Sequence, residues 1–125
     1  MWTKRRFSFG LLMALSAISA ANAAAQQRAA ENAVRAGHTI AVTTCISCHV
    51  VSRNQQLEPV LGPGIPSFEA IANRPDVTVD TLSAAMKVAR WHDPGMAQRL
   101  LPMSHLSDAQ RAQVAAYILS LRNKD

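Results

Sequence analysis

Cysteine is nearly absent from this chain. There are two in 125 residues, Cys45 and Cys48, and both fall in the stretch TTCISCHVV, residues 43–51. A plain structural disulfide between them would close so short a loop that it would restrain little chain. Aromatic residues are also scarce, at 5 %, which leaves little bulk for an ordinary core. No stretch alternates apolar and polar residues as a half-buried strand does, and no segment repeats. A membrane span needs about 20 consecutive apolar residues, and none is present. No basic cluster with interleaved aromatics occurs, so a nucleic-acid role is not assigned.

The first quarter differs from the rest. Lys4, Arg5 and Arg6 open it without an acid, LLMALSAISA follows at 11–20, and Ala21–Ala25 leads into Gln26 and Gln27. A basic start, a short apolar core and small residues before a cut compose a secretory signal peptide. The expectation is therefore a leader over 1–25, cleaved after Ala23 or Ala25, and an exported domain over 26–125. The leader takes three of the 13 basic residues and none of the 8 acids, so the mature chain is near +2 rather than +5. Of the aromatics, the domain keeps Phe68, Trp91 and Tyr117. A domain of about 100 residues buries only some 60–65 % of its unfolded surface, and small exported domains commonly add a staple or cofactor.

The remaining pattern predicts an all-α domain with two long loops. Ala24–Thr44 is Ala-rich and free of proline, so it reads as a helix ending near the cysteines. Gly37 inside it costs about 1 kcal/mol relative to Ala, which suggests close approach of another backbone. Asn54–Pro66 holds three prolines and two glycines, too many for a regular element. Ser67–Asn73 is a short helix, and Val79–Arg90 a third, capped by Thr78 or Asp80, with Leu82, Ala85, Met86 and Ala89 on its apolar face. Trp91–His105 is broken by Pro94-Gly95 and Pro102. Ser107 with Gln110 forms a capping-box pattern, opening a last helix whose stripe is Val114, Tyr117, Ile118 and Leu121. Loops this long in so small a domain suggest that something sits between them.

Two thiols at this spacing, with His49 after the second, suit three chemistries. A structural zinc site needs four ligands, and His38, His49, His92 and His105 form no pair of the usual spacing. A thioredoxin-like redox pair opens a helix after a strand, whereas this motif follows a helix. Covalent haem attachment uses every member: Cys45 and Cys48 form thioethers, and His49 supplies an imidazole to iron.

These residues resemble those of class I c-type cytochromes, over about Gly37 to Leu121. Gly37 lies eight residues before Cys45, where the family has a glycine at the crossing of its first and last helices. LSDAQRAQVAAYILSL is similar to the family's C-terminal helix, with Tyr117 in its aromatic position. The resemblance implies a small cytochrome c fold, N- and C-terminal helices crossing, with one haem c and its iron held between irregular loops. Gly62-Pro63 resembles the family's GP, which implies that Pro63 accepts a hydrogen bond from His49 and raises its basicity; a plain loop rigidifier is the other reading. The family's sixth ligand is a methionine, often as Met-Pro, but Leu101-Pro102 occupies that register. Met103 is the expected ligand, Met96 the second candidate, and His92, His105 or an open site the remainder.

The implied function is a soluble periplasmic one-electron carrier, His/Met ligated, meeting its redox partners transiently. Such work needs no general acid, base or nucleophile, so no enzyme is expected. Ile65, Phe68, Met86 and Leu100 would exclude water. Lys87, Arg90 and Arg99 either ring the haem edge or form a solvated face. Two alternatives stand beside it: an electron-transfer subunit of a periplasmic dehydrogenase, and a haem sensor or minor peroxidase with an open sixth position.

Overall fold

The computed structural model describes residues 8–60, 64–87 and 106–123. Helix α1 spans Ser8–Ile40 and passes into a π-helical turn, Ala41–Cys45. Helices α2 (Phe68–Ala72), α3 (Val79–Lys87) and α4 (Asp108–Ser120) follow. Among the described residues there is no strand, and the all-α expectation holds.

The first helix begins sixteen residues earlier than expected, at Ser8 rather than Ala24. Its sequence explains this: LLMALSAISAANAAAQQRAA is dominated by strong helix formers and holds no proline or glycine to stop it. Residues 1–32 form one unit and 33–125 another. In the first, the side chains from Ala20 to Asn32 are exposed, and Gln27 Nε2 donates to Glu31 Oε1 at 3.1 Å. Among the described residues no helix is long and apolar enough to cross a membrane.

In the second unit the end of α1 crosses α4 at Gly37. A Cβ there would overlap the carbonyl oxygen of Gln113, stand 2.5 Å from its carbonyl carbon and 2.9 Å from Tyr117 Cβ. The glycine is present because nothing larger fits, which is the close approach its helix cost implied. Beyond the crossing the chain widens to the π-helical turn. Thr43 Oγ1 donates there to Thr39 O at 3.1 Å and Ile40 O at 3.0 Å. A π-turn accommodates one extra residue, and such turns are frequent at functional sites; this one ends on Cys45.

Each short helix is capped by its own side chains. Ser67 Oγ accepts from Ala70 N at the start of α2. Thr78, not Asp80, caps α3: its Oγ1 accepts from Thr81 N at 3.2 Å, and Thr78 N donates to Thr81 Oγ1 at 2.9 Å. Ser107 and Gln110 form both bonds of the expected capping box of α4. The α4 helix packs on α2 and α3. Ala41, Cys45, Val51, Phe68, Ala72, Leu82, Val114, Ala115, Tyr117 and Ile118 make the core. Met86 packs against that core, but Ala85, expected on the same face, is exposed. At 3.6 residues per turn it stands about 60° round the helix from Leu82.

Candidate functional site

The motif is a turn built on one carbonyl. Cys45 O accepts from Cys48 N at 3.1 Å and from His49 N at 2.9 Å, while Val60 N donates to Ser47 O at 2.9 Å. The backbone after His49 is then tied on both sides. Phe68 N donates to Val50 O at 2.9 Å, and the buried Tyr117 hydroxyl donates to Val51 O at 2.8 Å. Val51 N donates to Gln55 Oε1 at 2.8 Å. A chain with no regular element of its own here is thus held by α2 on one side and α4 on the other.

His49 sits at the meeting of these ties. Its Nδ1 lies 2.8 Å from Pro66 O. A carbonyl oxygen can only accept, so Nδ1 carries a proton, and in the neutral ring Nε2 carries the lone pair. The Phe68 ring lies against the imidazole with centroids 5.3 Å apart, and Tyr117 stands 6.4 Å behind Phe68. His38, exposed on α1, meets Tyr117 edge-on at 5.0 Å. The geometry yields an oriented imidazole with one nitrogen free to donate an electron pair.

Among the described residues the carbonyl that meets His49 is that of Pro66; the pairing of Phe68 N with Val50 O draws residues 66–68 alongside 49–50. Pro63 lies outside the described residues, as do Met103, Met96, Leu101, Leu100, His92, His105, Arg90 and Arg99. Ile65 is half-buried and Phe68 buried. Lys87 is engaged in an ion pair with Asp108 at 2.8 Å, which takes up its charge. Sequence reasoning missed Pro66, although its place directly before the α2 cap Ser67 was a signal.

The two cysteines are unpaired, Cys45 buried and Cys48 half-buried. Burial, and after it the neighbouring Cys48, pushes the Cys45 thiol up to about 11; burial also raises Cys48. Thiol–disulfide chemistry depends on a lowered thiol pKa that favours thiolate, so these neutral thiols are poor at it. Among the described residues no three His, Cys, Asp or Glu side chains gather as a metal-binding group.

An all-α fold with a glycine crossing, two thiols in one turn and an oriented imidazole beside them defines a small helical protein whose C-x-x-C-H motif is that of covalent haem attachment. The family model for cytochrome c matches residues 34–122, and the chain belongs to that family, as a class I c-type cytochrome. It is 36 % identical over 92 residues to cytochrome c-552 of Bradyrhizobium diazoefficiens, covering 72 % of this chain and 78 % of the relative. No solved structure matches it. As a cytochrome c it carries covalently bound haem c with its iron, and it transfers electrons.

Proposed function

We propose that this chain is an exported one-electron carrier that holds its haem through Cys45 and Cys48 and its iron through His49. One observation carries the reading: the 2.8 Å contact of His49 Nδ1 with Pro66 O. It selects the tautomer an axial ligand requires, fixes the ring and raises its basicity. Haem supplies, when bound, an iron that gains and loses one electron with no other bond changing.

The chain's own residues do the rest. Cys45 and Cys48 would hold the haem through thioether bonds. Pro66 takes the part that the resemblance implied for Pro63. Met103 is the sixth ligand by its register before Tyr117, with Met96 the second candidate; such His/Met ligation raises the potential and closes the iron to substrates. Phe68 and Tyr117 keep water from the imidazole. Residues 1–25 are the leader that delivers the domain to the periplasm, and the family match begins downstream of it. The loop after His49 leaves Leu57 71 % and Val60 82 % exposed. Apolar groups so placed suit brief docking of a redox partner.

The same exposed pair favours a second reading, a resident subunit of a periplasmic dehydrogenase. Gel filtration of a periplasmic extract separates the two, since a free carrier elutes at the size of the mature chain. The function itself is tested on the haem-loaded protein by its ferric spectrum. The weak long-wavelength band of methionine-bound haem should vanish in Met103→Ala and survive in Met96→Ala, and His49→Ala should lose the low-spin spectrum altogether. A wild type lacking that band sinks the ligand assignment, and a His49→Ala protein with an unaltered spectrum sinks the site.

A further inference from the structure

Four residues beyond His49, Arg53 reaches across three segments. Its guanidinium bonds Glu69 Oε1 of α2, through Nε at 3.0 Å and Nη2 at 2.8 Å. Nη2 also donates to Asn123 Oδ1 at 2.9 Å and Leu121 O at 3.3 Å, just beyond α4. The other end of α2 is tied to the same place. Arg122 donates through Nε to Ala72 O at 2.6 Å and through Nη2 to Val77 O at 2.9 Å. Asn123 N donates to Asn73 Oδ1 at 3.0 Å, and Asn73 Nδ2 donates to Glu69 O at 2.8 Å.

Helix α2 has five residues. Isolated helices shorter than about 12–15 residues are marginal in water, so its place is imposed by what it touches. Its entrance carries Pro66, whose carbonyl meets His49. The loop that bears His49 and the helix that bears its acceptor are therefore joined twice: by Phe68 N to Val50 O near the ring, and by Arg53 at the outer edge.

We propose that Arg53 is a positioning residue that sets the His49–Pro66 hydrogen bond and through it the reduction potential. The inference rests on His49 being the iron ligand. A close Nδ1–H···O contact gives the imidazole anionic character, which favours the more positive, oxidised metal and lowers the potential. Slackening that contact raises it. The Arg53 side chain is 58 % exposed and that of Glu69 37 %. Exposed pairs add little to stability, so the effect of the clamp falls on geometry rather than on the folding equilibrium.

The test uses the haem-loaded protein and keeps charge constant, because removing a cation would itself lower the potential. Arg53→Lys retains the charge but loses the planar fork that spans Glu69 and Asn123. Asn123→Ala, neutral for neutral, removes only the Oδ1 acceptor. Both should raise the potential, Arg53→Lys more, and both should speed solvent exchange of the His49 Nδ1 proton in nuclear magnetic resonance. Wild-type potential and wild-type exchange in both variants overturn the clamp. Should Arg53→Lys fail to fold, Asn123→Ala decides alone by the same two readouts. A His49→Ala protein with unaltered spectrum and potential overturns the ligand reading instead, which keeps the two failures apart.

Discussion

Replacing Gly37 by alanine sets two effects against each other. Alanine is the better helix former by about 1 kcal/mol in a helix interior, so propensity alone favours the change. Against it stands the crossing, where the new methyl would overlap Gln113 O and lie 2.5 Å from Gln113 C. Ordinary carbon contacts are about 3.5–4.0 Å, so α1 and α4 would have to part by about 1 Å. The obstacle is backbone of a helix, which cannot swing aside as a side chain end can. Overpacking costs about 1–3 kcal/mol and occasionally more. The upper end is expected here, because separation also loosens Ala41, Val114 and Tyr117, which pack at that seam. Less the gain in helix propensity, the net loss is about 2 kcal/mol, and at about 4–8 °C per kcal/mol for a domain of this size the melting temperature falls roughly 8–16 °C. Thermal unfolding of the haem-loaded protein, followed by far-ultraviolet circular dichroism, measures it. Gly64→Ala is the control, since among the described residues nothing lies within 4 Å of its added Cβ, and it should change stability by less than about 1 kcal/mol. A Gly37→Ala protein that melts with the wild type would refute the reasoning, for the helices would not then be in backbone contact.

Tyr117→Phe removes the donor to Val51 O and leaves a buried carbonyl without a partner, a loss of about 1–2 kcal/mol. Denaturant unfolding should show an earlier midpoint with an unchanged slope; an unchanged midpoint means that water replaces the hydroxyl. Asp108 gives a pH dependence. Hydrogen bonds from Lys87 and then Arg111 hold its carboxyl down, from 3.8 to about 2. The folded pKa is depressed, so the stability it adds is present above 3.8 and is lost as the pH falls through about 2. The stability gap between wild type and Asp108→Asn should therefore be constant near neutrality and close across that acidic window. A gap that persists undiminished at pH 2 would show that the ion pairs are not its source.

What could be read in the sequence was what a single residue's chemistry dictates locally. Gly37 in a helix announced a close neighbour because no other residue tolerates one. Ser107 with Gln110 announced a helix start because caps act within three residues. The thiols and His49 were legible as a group for the same reason. The start of α1 was not, since the helical tendency of residues 11–30 runs unbroken into the stretch expected to be helical. Nor was the acceptor on His49: which of three prolines in Asn54–Pro66 meets the ring depends on Phe68 pairing with Val50, a matter of tertiary register. Arg53, Glu69, Arg122 and Asn123 are ordinary surface residues in the sequence, and only folding brings them together across as many as 70 positions.

Cys45 is 4 % exposed and shares its core with Val114, Ala115, Tyr117 and Ile118 of α4. A thiol enclosed in that core is out of reach of a bulky reactant. Thioether formation at Cys45 therefore belongs to a stage before α4 docks, which makes the unfolded or partly folded chain, rather than the finished domain, the form in which that sulfur can react.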